Sequence, residues 1–167
     1  MTAALKKILC IILLGSPLVS TAQAIAPLPP GIAVHGAKVV ATFHAEGVQV
    51  YECKLDAGNK LVWRFREPVA ALMDAGNTIG LHYAGPSWQH IDGSAIQAKM
   101  VSAVPGATFN DVPWLKLEVT EQRGAGLLSN VKMVQRIDTK GGMMQGACDA
   151  AGALRSVPFS ADFVFFH

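Results

Sequence analysis

VQVYECKLDAGNKLVWRF, residues 48–65, decides the fold class. On its first arm Gln49, Tyr51, Cys53 and Leu55 share one face, while Val48, Val50 and Glu52 take the other. That period of two belongs to an extended strand with one face buried. On the second arm Leu61, Trp63 and Phe65 alternate with Val62, Arg64 and Arg66. Between the arms Asp56-Ala57-Gly58-Asn59-Lys60 holds the residue types that favour turns. Closing the hairpin with Leu55 opposite Leu61 places Cys53 against Trp63 and Tyr51 against Phe65. All six side chains then point to one side, which makes this hairpin a core element and assigns Trp63 to the core.

The same period continues through the chain. A strand is expected near Ile96 to Val104, closed by a Pro105-Gly106 turn. In WLKLEV, Leu115, Leu117 and Val119 alternate with Lys116 and Glu118; VKMVQRI follows after the loop GAGLLSN. TKGGMMQGACDAAG reads as a long glycine-rich loop, and VPFSADFVFF as a last strand with Phe159, Ala161, Phe163 and Phe165 on one face. Residues 68–76, PVAALMDAG, are expected to be irregular or short, because Pro68 and Gly76 leave little room for a helix. With about eight short strands and almost no helical period, the expected fold is all-β, an antiparallel sandwich or small barrel.

The ends and the charge set the compartment. Lys6 and Lys7, the apolar run Ile8–Leu14 and the small residues of Ala22-Gln23-Ala24 read as a signal peptide over residues 1–24. A proline-rich lead, residues 25–33, and a single β domain, residues 34–167, complete the expected organisation. Without Lys6 and Lys7, twelve Lys and Arg balance twelve Asp and Glu. A neutral surface without a basic cluster argues against nucleic acid. No second long apolar run follows, so no membrane-spanning segment is expected after cleavage. The terminal Phe165-Phe166-His167 has the look of an outer-membrane barrel ending, but charged second faces on the strands argue against one. Cys10 departs with the leader, and Cys53 and Cys148 are read as one disulfide formed in an oxidising, periplasmic or extracellular space. Two buried thiols are the alternative; a metal pair is disfavoured by the lack of Cys-x-x-Cys spacing. Such a bridge restricts the unfolded chain by roughly 4 to 5 kcal/mol in the loop-entropy description.

GLHYAGPSWQHIDGSAI, residues 80–96, concentrates the chemistry. Tyr83 and Trp88, with Trp114 farther on, sit in or beside turns, where aromatics form platforms for a small molecule or glycan. The same stretch offers His82, His90 and Asp92, with His44 or His35, to copper or zinc. A three- or five-residue loop is needed to bring His82 opposite His90. An even loop, favoured here, faces Tyr83 with Trp88 and Leu81 with His90, and separates the histidines. No cofactor is therefore expected. Ser87, Ser94 and Ser160 lack a nucleophile-elbow motif, and nothing in the spacing of Asp92, Asp111 or Glu118 selects a carboxylate pair. The reading is a non-catalytic binding module at the envelope or outside the cell. A structural envelope protein without ligand is the nearest alternative, and a copper- or zinc-dependent enzyme or hydrolase comes second.

In order, YECK…W, GLHYAGPSWQHIDGSAI, VPWLKL, VQRIDTKGG…C and VPFSADFVFF resemble an exported-protein family of bacteria and fungi, catalogued as domain of unknown function 3455. The resemblance covers Val34 to Phe166. It implies an exported, mostly β domain with a Cys53–Cys148 pair, and it brings no catalytic residue to this chain.

Overall fold

The computed structural model describes residues 28–167; the leader expected over residues 1–24 lies outside them. Eight antiparallel strands follow one another around a closed barrel: β1 (Val39–Leu55), β2 (Leu61–Asp74), β3 (Asn77–Tyr83), β4 (Ser87–His90), β5 (Ala95–Val104), β6 (Trp114–Arg123), β7 (Met133–Gly141) and β8 (Leu154–Phe166). Each strand pairs with the next, and β8 returns to β1 through pairs such as Ala45↔Ala161 and Tyr51↔Arg155. Closure gives every strand a partner on both sides over at least part of its length. Of the two expected architectures, the barrel is the one formed.

The opening hairpin forms in the expected register: Leu55↔Leu61, Cys53↔Trp63 and Tyr51↔Phe65. Trp63 differs from expectation. It is only partly buried, and the Arg155 guanidinium lies 5.8 Å from its ring centre. β2 also departs from expectation by continuing through residues 68–74 as strand. A bulge between Phe65 and Glu67 shifts the register, so the inward face passes from odd to even residues, and Ala70 and Leu72 enter the core. Pro68 is tolerated because β3 pairs with β2 only from Ala70 onward, so no ladder beyond β2 calls on its missing N–H. Residues 139–141, expected in a loop, extend β7.

Phe43, Ala45, Leu72, Trp88, Ile96, Leu117, Val134, Ala161, Phe163 and Phe165 fill the interior. The outer faces carry charges such as the Lys99–Glu118 ion pair at 3.0 Å. An apolar inside under a charged outside is the reverse of a transmembrane barrel's polarity. Among the described residues no helix is long and apolar enough to cross a membrane.

At Gly85-Pro86 the register differs from the one expected. Tyr83 pairs with Ser87, His82 with Trp88, Leu81 with Gln89 and Gly80 with His90, across a three-residue connection. Trp88 and His82 therefore point inward and Tyr83 and Leu81 outward. The reason is energetic. Full burial of Trp88 is worth about 4 to 6 kcal/mol, against about 0.5 to 1 kcal/mol for the Tyr83–Trp88 cross-strand pair that the even loop offered.

The two ends of the barrel differ. The turns β2–β3 and β4–β5 and the loop of residues 124–132 gather at one end, where Leu128 and Val131 are fully buried. The other four connections gather at the opposite end, which stays open above the floor of the barrel.

Candidate functional site

A cavity of about 720 Å³ occupies the open end. Its wall is mostly apolar: Trp63, Phe65, Met100, Leu115, Leu117, Met143 and Met144. Three buried polar residues from different strands, Gln49 on β1, His82 on β3 and Arg136 on β7, reach it, together with Tyr51. Each stands on the inward face of a strand whose other inward residues are mainly apolar or glycine. Arg136, for instance, shares its face with Val134 and lies between Leu115 and Phe163 on the neighbouring strands.

Arg136 is 9% exposed. Its Nε and Nη2 donate to the Pro113 carbonyl at 3.1 and 2.9 Å, and no carboxylate among the described residues pairs with it. Burial lowers its pKa to about 10, which leaves it charged at neutral pH. His82 is sealed between Trp88, stacked at 4.7 Å, and Phe163, tilted at 4.7 Å. Burial pushes its pKa down to about 3, so the ring is neutral. Its Nδ1 lies 2.9 Å from the Ser87 carbonyl; a carbonyl only accepts, so the proton sits on Nδ1 and Nε2 carries the lone pair. Arg136 also disfavours a proton on His82 and acts on the Tyr51 phenol, which places the three groups in one neighbourhood. The Tyr51 hydroxyl donates to the Gly142 carbonyl at 2.7 Å and accepts from the Met144 amide at 3.2 Å. Burial raises its pKa, and it stays neutral. The Gln49 amide nitrogen is buried without an acceptor.

The loop of residues 142–153 frames the mouth and is fixed at its start and its middle. Tyr51 holds its start, and the Cys53–Cys148 disulfide holds its middle, with Cα atoms 5.9 Å apart. Backbone bonds Trp63 N–H to Gly146 O and Cys148 N–H to Leu61 O join it to β2.

The residues proposed from sequence take other places. Trp88 is core, Tyr83 lies on the outer face beside Gln97 and Glu121, and Trp114 borders a separate depression with Asp111. The three share no surface, because alternate residues of a hairpin face opposite sides of the wall and Trp114 begins β6. His82 and His90 lie on one face but on diagonal positions. His90 stacks on Phe43 at 5.9 Å, and its Nδ1 stands 3.0 Å from Asp92. Asp92 ties the closed end together. Its oxygens accept from Leu127 N–H at 2.8 Å and from Ser94 N–H and Oγ at 2.9 and 2.6 Å, and Ser94 Oγ accepts from Leu128 N–H. These bonds, the one from Leu127 foremost, hold the Asp92 carboxyl well below its usual range. Gly126, at φ +146°, permits the approach: an added Cβ would stand 2.4 Å from Asp92 Oδ2. His44 pairs with Asp162 at 2.6 Å on the outer face.

Sequence reasoning missed Gln49 and Arg136 and put His82 on the wrong side of its hairpin. One signal was available for Gln49, a polar residue in the inward file Phe43, Ala45, Tyr51, Cys53.

Fold and site together define a sequentially wound eight-stranded barrel, plugged at one end and opening at the other into an apolar cavity with polar groups at its base. The chain belongs to the family described as Protein of unknown function (DUF3455), whose model matches residues 34–167. No curated protein and no solved structure matched the chain.

Proposed function

We propose that the protein is an exported binding module that holds a small molecule inside the open end of its barrel. The observation that carries this reading is the cavity of about 720 Å³, with apolar walls and a few converging polar side chains. Sites of about 300–1,000 Å³ with that lining are the usual form of small-molecule pockets. A frame pinned by Tyr51 and by the disulfide keeps the space preformed, which limits the ordering cost of binding. A small molecule is favoured over a glycan because the aromatics line a pocket rather than an exposed flat platform. The disulfide supports an oxidising compartment, in line with the leader read over residues 1–24.

The test is a neutral apolar fluorophore, N-phenyl-1-naphthylamine, titrated into the purified protein. Saturable binding near one per chain is expected, weakened tenfold or more by Leu115→Trp, which fills the cavity. Absence of saturable binding, or equal binding by a folded Leu115→Trp variant, refutes the reading.

A further inference from the structure

We propose that the ligand of this cavity is an organic carboxylate, with its head on Arg136 and its apolar body along Trp63, Leu115 and the methionines of the mouth. The inference rests on the small-molecule reading above and adds the charge of the ligand.

Four observations converge on it. First, the cavity lining contains three arginines, Arg64, Arg66 and Arg136, and no aspartate or glutamate. Such a lining repels cations and draws anions toward the mouth. Arg66 at the rim is paired with Glu67 at 3.0 Å, whereas Arg136 at the base meets no carboxylate among the described residues. A buried charge is ordinarily compensated by an opposite one, so the ligand is the natural source of the missing partner.

Second, the geometry of Arg136 leaves the right edge available. A guanidinium has five N–H donors in a fixed fork. Pro113 O takes one from Nε and one from Nη2. The remaining end-on pair, Nη1 and the second hydrogen of Nη2, matches the two oxygens of a carboxylate.

Third, the Gln49 amide nitrogen is 1% exposed with its residue, lacks an acceptor, and lines the same cavity. A buried unpaired donor costs stability unless something accepts from it. A second oxygen acceptor in the cavity accounts for Gln49 as well as for Arg136.

Fourth, no other group in the base competes for the arginine. His82 is neutral and Tyr51 stays protonated, so the base carries a single positive charge. That favours a monoanion. A phosphate monoester, with its higher charge and tetrahedral oxygens, is matched less well by one planar fork.

The experiment titrates octanoate, dodecanoate and 1-naphthoate into the full-length purified protein by calorimetry, each against its primary amide. At least one acid is expected to bind near one per chain and at least tenfold more tightly than its amide. Arg136→Met should abolish that preference while N-phenyl-1-naphthylamine still binds. Arg136→Lys, which keeps the charge but loses the fork, should recover only part of it and serves if the Met variant does not fold. An independent measurement follows the bound acid's ¹³C-labelled carboxyl: its pKa should fall on binding. Amides binding as tightly as acids, or a preference that survives Arg136→Met, overturns the carboxylate while leaving the small-molecule reading intact. If neither acids nor amides nor the neutral fluorophore bind, both readings fall together.

Discussion

The two ends of the barrel use polar residues in opposite ways. At the closed end Asp92, Ser94 and the amides of residues 127 and 128 satisfy one another, with donors and acceptors matched within the network. Below that network Leu128 and Val131 are fully buried, so polarity there serves to fasten a plug. At the open end Arg136 has a carbonyl and no counter-charge among the described residues, Gln49 has an unmatched donor, and His82 is buried in its neutral form. A barrel of eight strands is just wide enough for side chains to fill or to enclose a small cavity, and this one is filled by side chains at one end and leaves an open cavity at the other. Buried polar groups that are mutually satisfied describe architecture, whereas those left incomplete around a cavity point to something bound there.

The difference can be broken most strongly through the disulfide, which holds the frame of the open end. Replacing Cys53 and Cys148 together by Ala should lower unfolding free energy by roughly 4 to 5 kcal/mol, since the closed loop spans 95 residues. Urea denaturation checks this, and a loss under about 1 kcal/mol would mean that backbone pairing alone fixes the loop. At the plug, Leu128→Ala should cost about 3 kcal/mol through the buried space it leaves and should leave fluorophore affinity unchanged. A parallel loss of affinity would show that the two ends are not independent.

Acid should act on both ends. His82 has its folded-state pKa below its unfolded value, about 3 against 6.5. The unfolded chain therefore takes up the proton first, so stability is full above about pH 6.5 and declines as pH falls toward 3. The contribution approaches one proton, or about 1.4 kcal/mol per pH unit. His82→Gln should flatten that part of the pH–stability curve, and an unchanged slope would deny His82 the role. Asp92 also has a lowered folded value. Its contribution is present above the ordinary carboxylate range and is lost only as pH falls below it. Protection of the Leu127 and Leu128 amides against hydrogen exchange should fall there, and Asp92→Asn should bring the same loss of protection at neutral pH. The smallest effect is expected at the rim, where Phe65 is 53% exposed. Phe65→Ala should change stability by less than about 1 kcal/mol in urea denaturation, so its main effect falls on fluorophore affinity.

Much of the wall was legible because closure of a β-barrel repeats a local rule. The hairpin of residues 48–65 fixed its own register through Leu55 and Leu61, and Phe159, Ala161, Phe163 and Phe165 turned inward together as their alternation required. The rule failed on β3. There Ile79, Leu81 and Tyr83 form the apolar file, yet Gly80 and His82 face the interior. Leu81 is 55% exposed. Local pattern gave the wrong answer beside the cavity, where the structure keeps a polar group inside, and such conflicts are expected at functional or strained positions. Arg136 was hidden for the same reason: on VKMVQRI it reads as an ordinary charged residue on an outer face.

By itself the sequence determined the class of fold, the strand-forming segments, the pairing of the first hairpin and the two cysteines available to bridge. Those follow from alternation, turn composition and count, which act over a few neighbouring residues. Only the tertiary structure decided which face of each strand looks inward, that the sheet closes as a barrel, and that Gln49, His82 and Arg136 share one cavity. Each of these depends on contacts between strands far apart in the chain, where a one-residue shift or a single bulge reverses every side chain that follows.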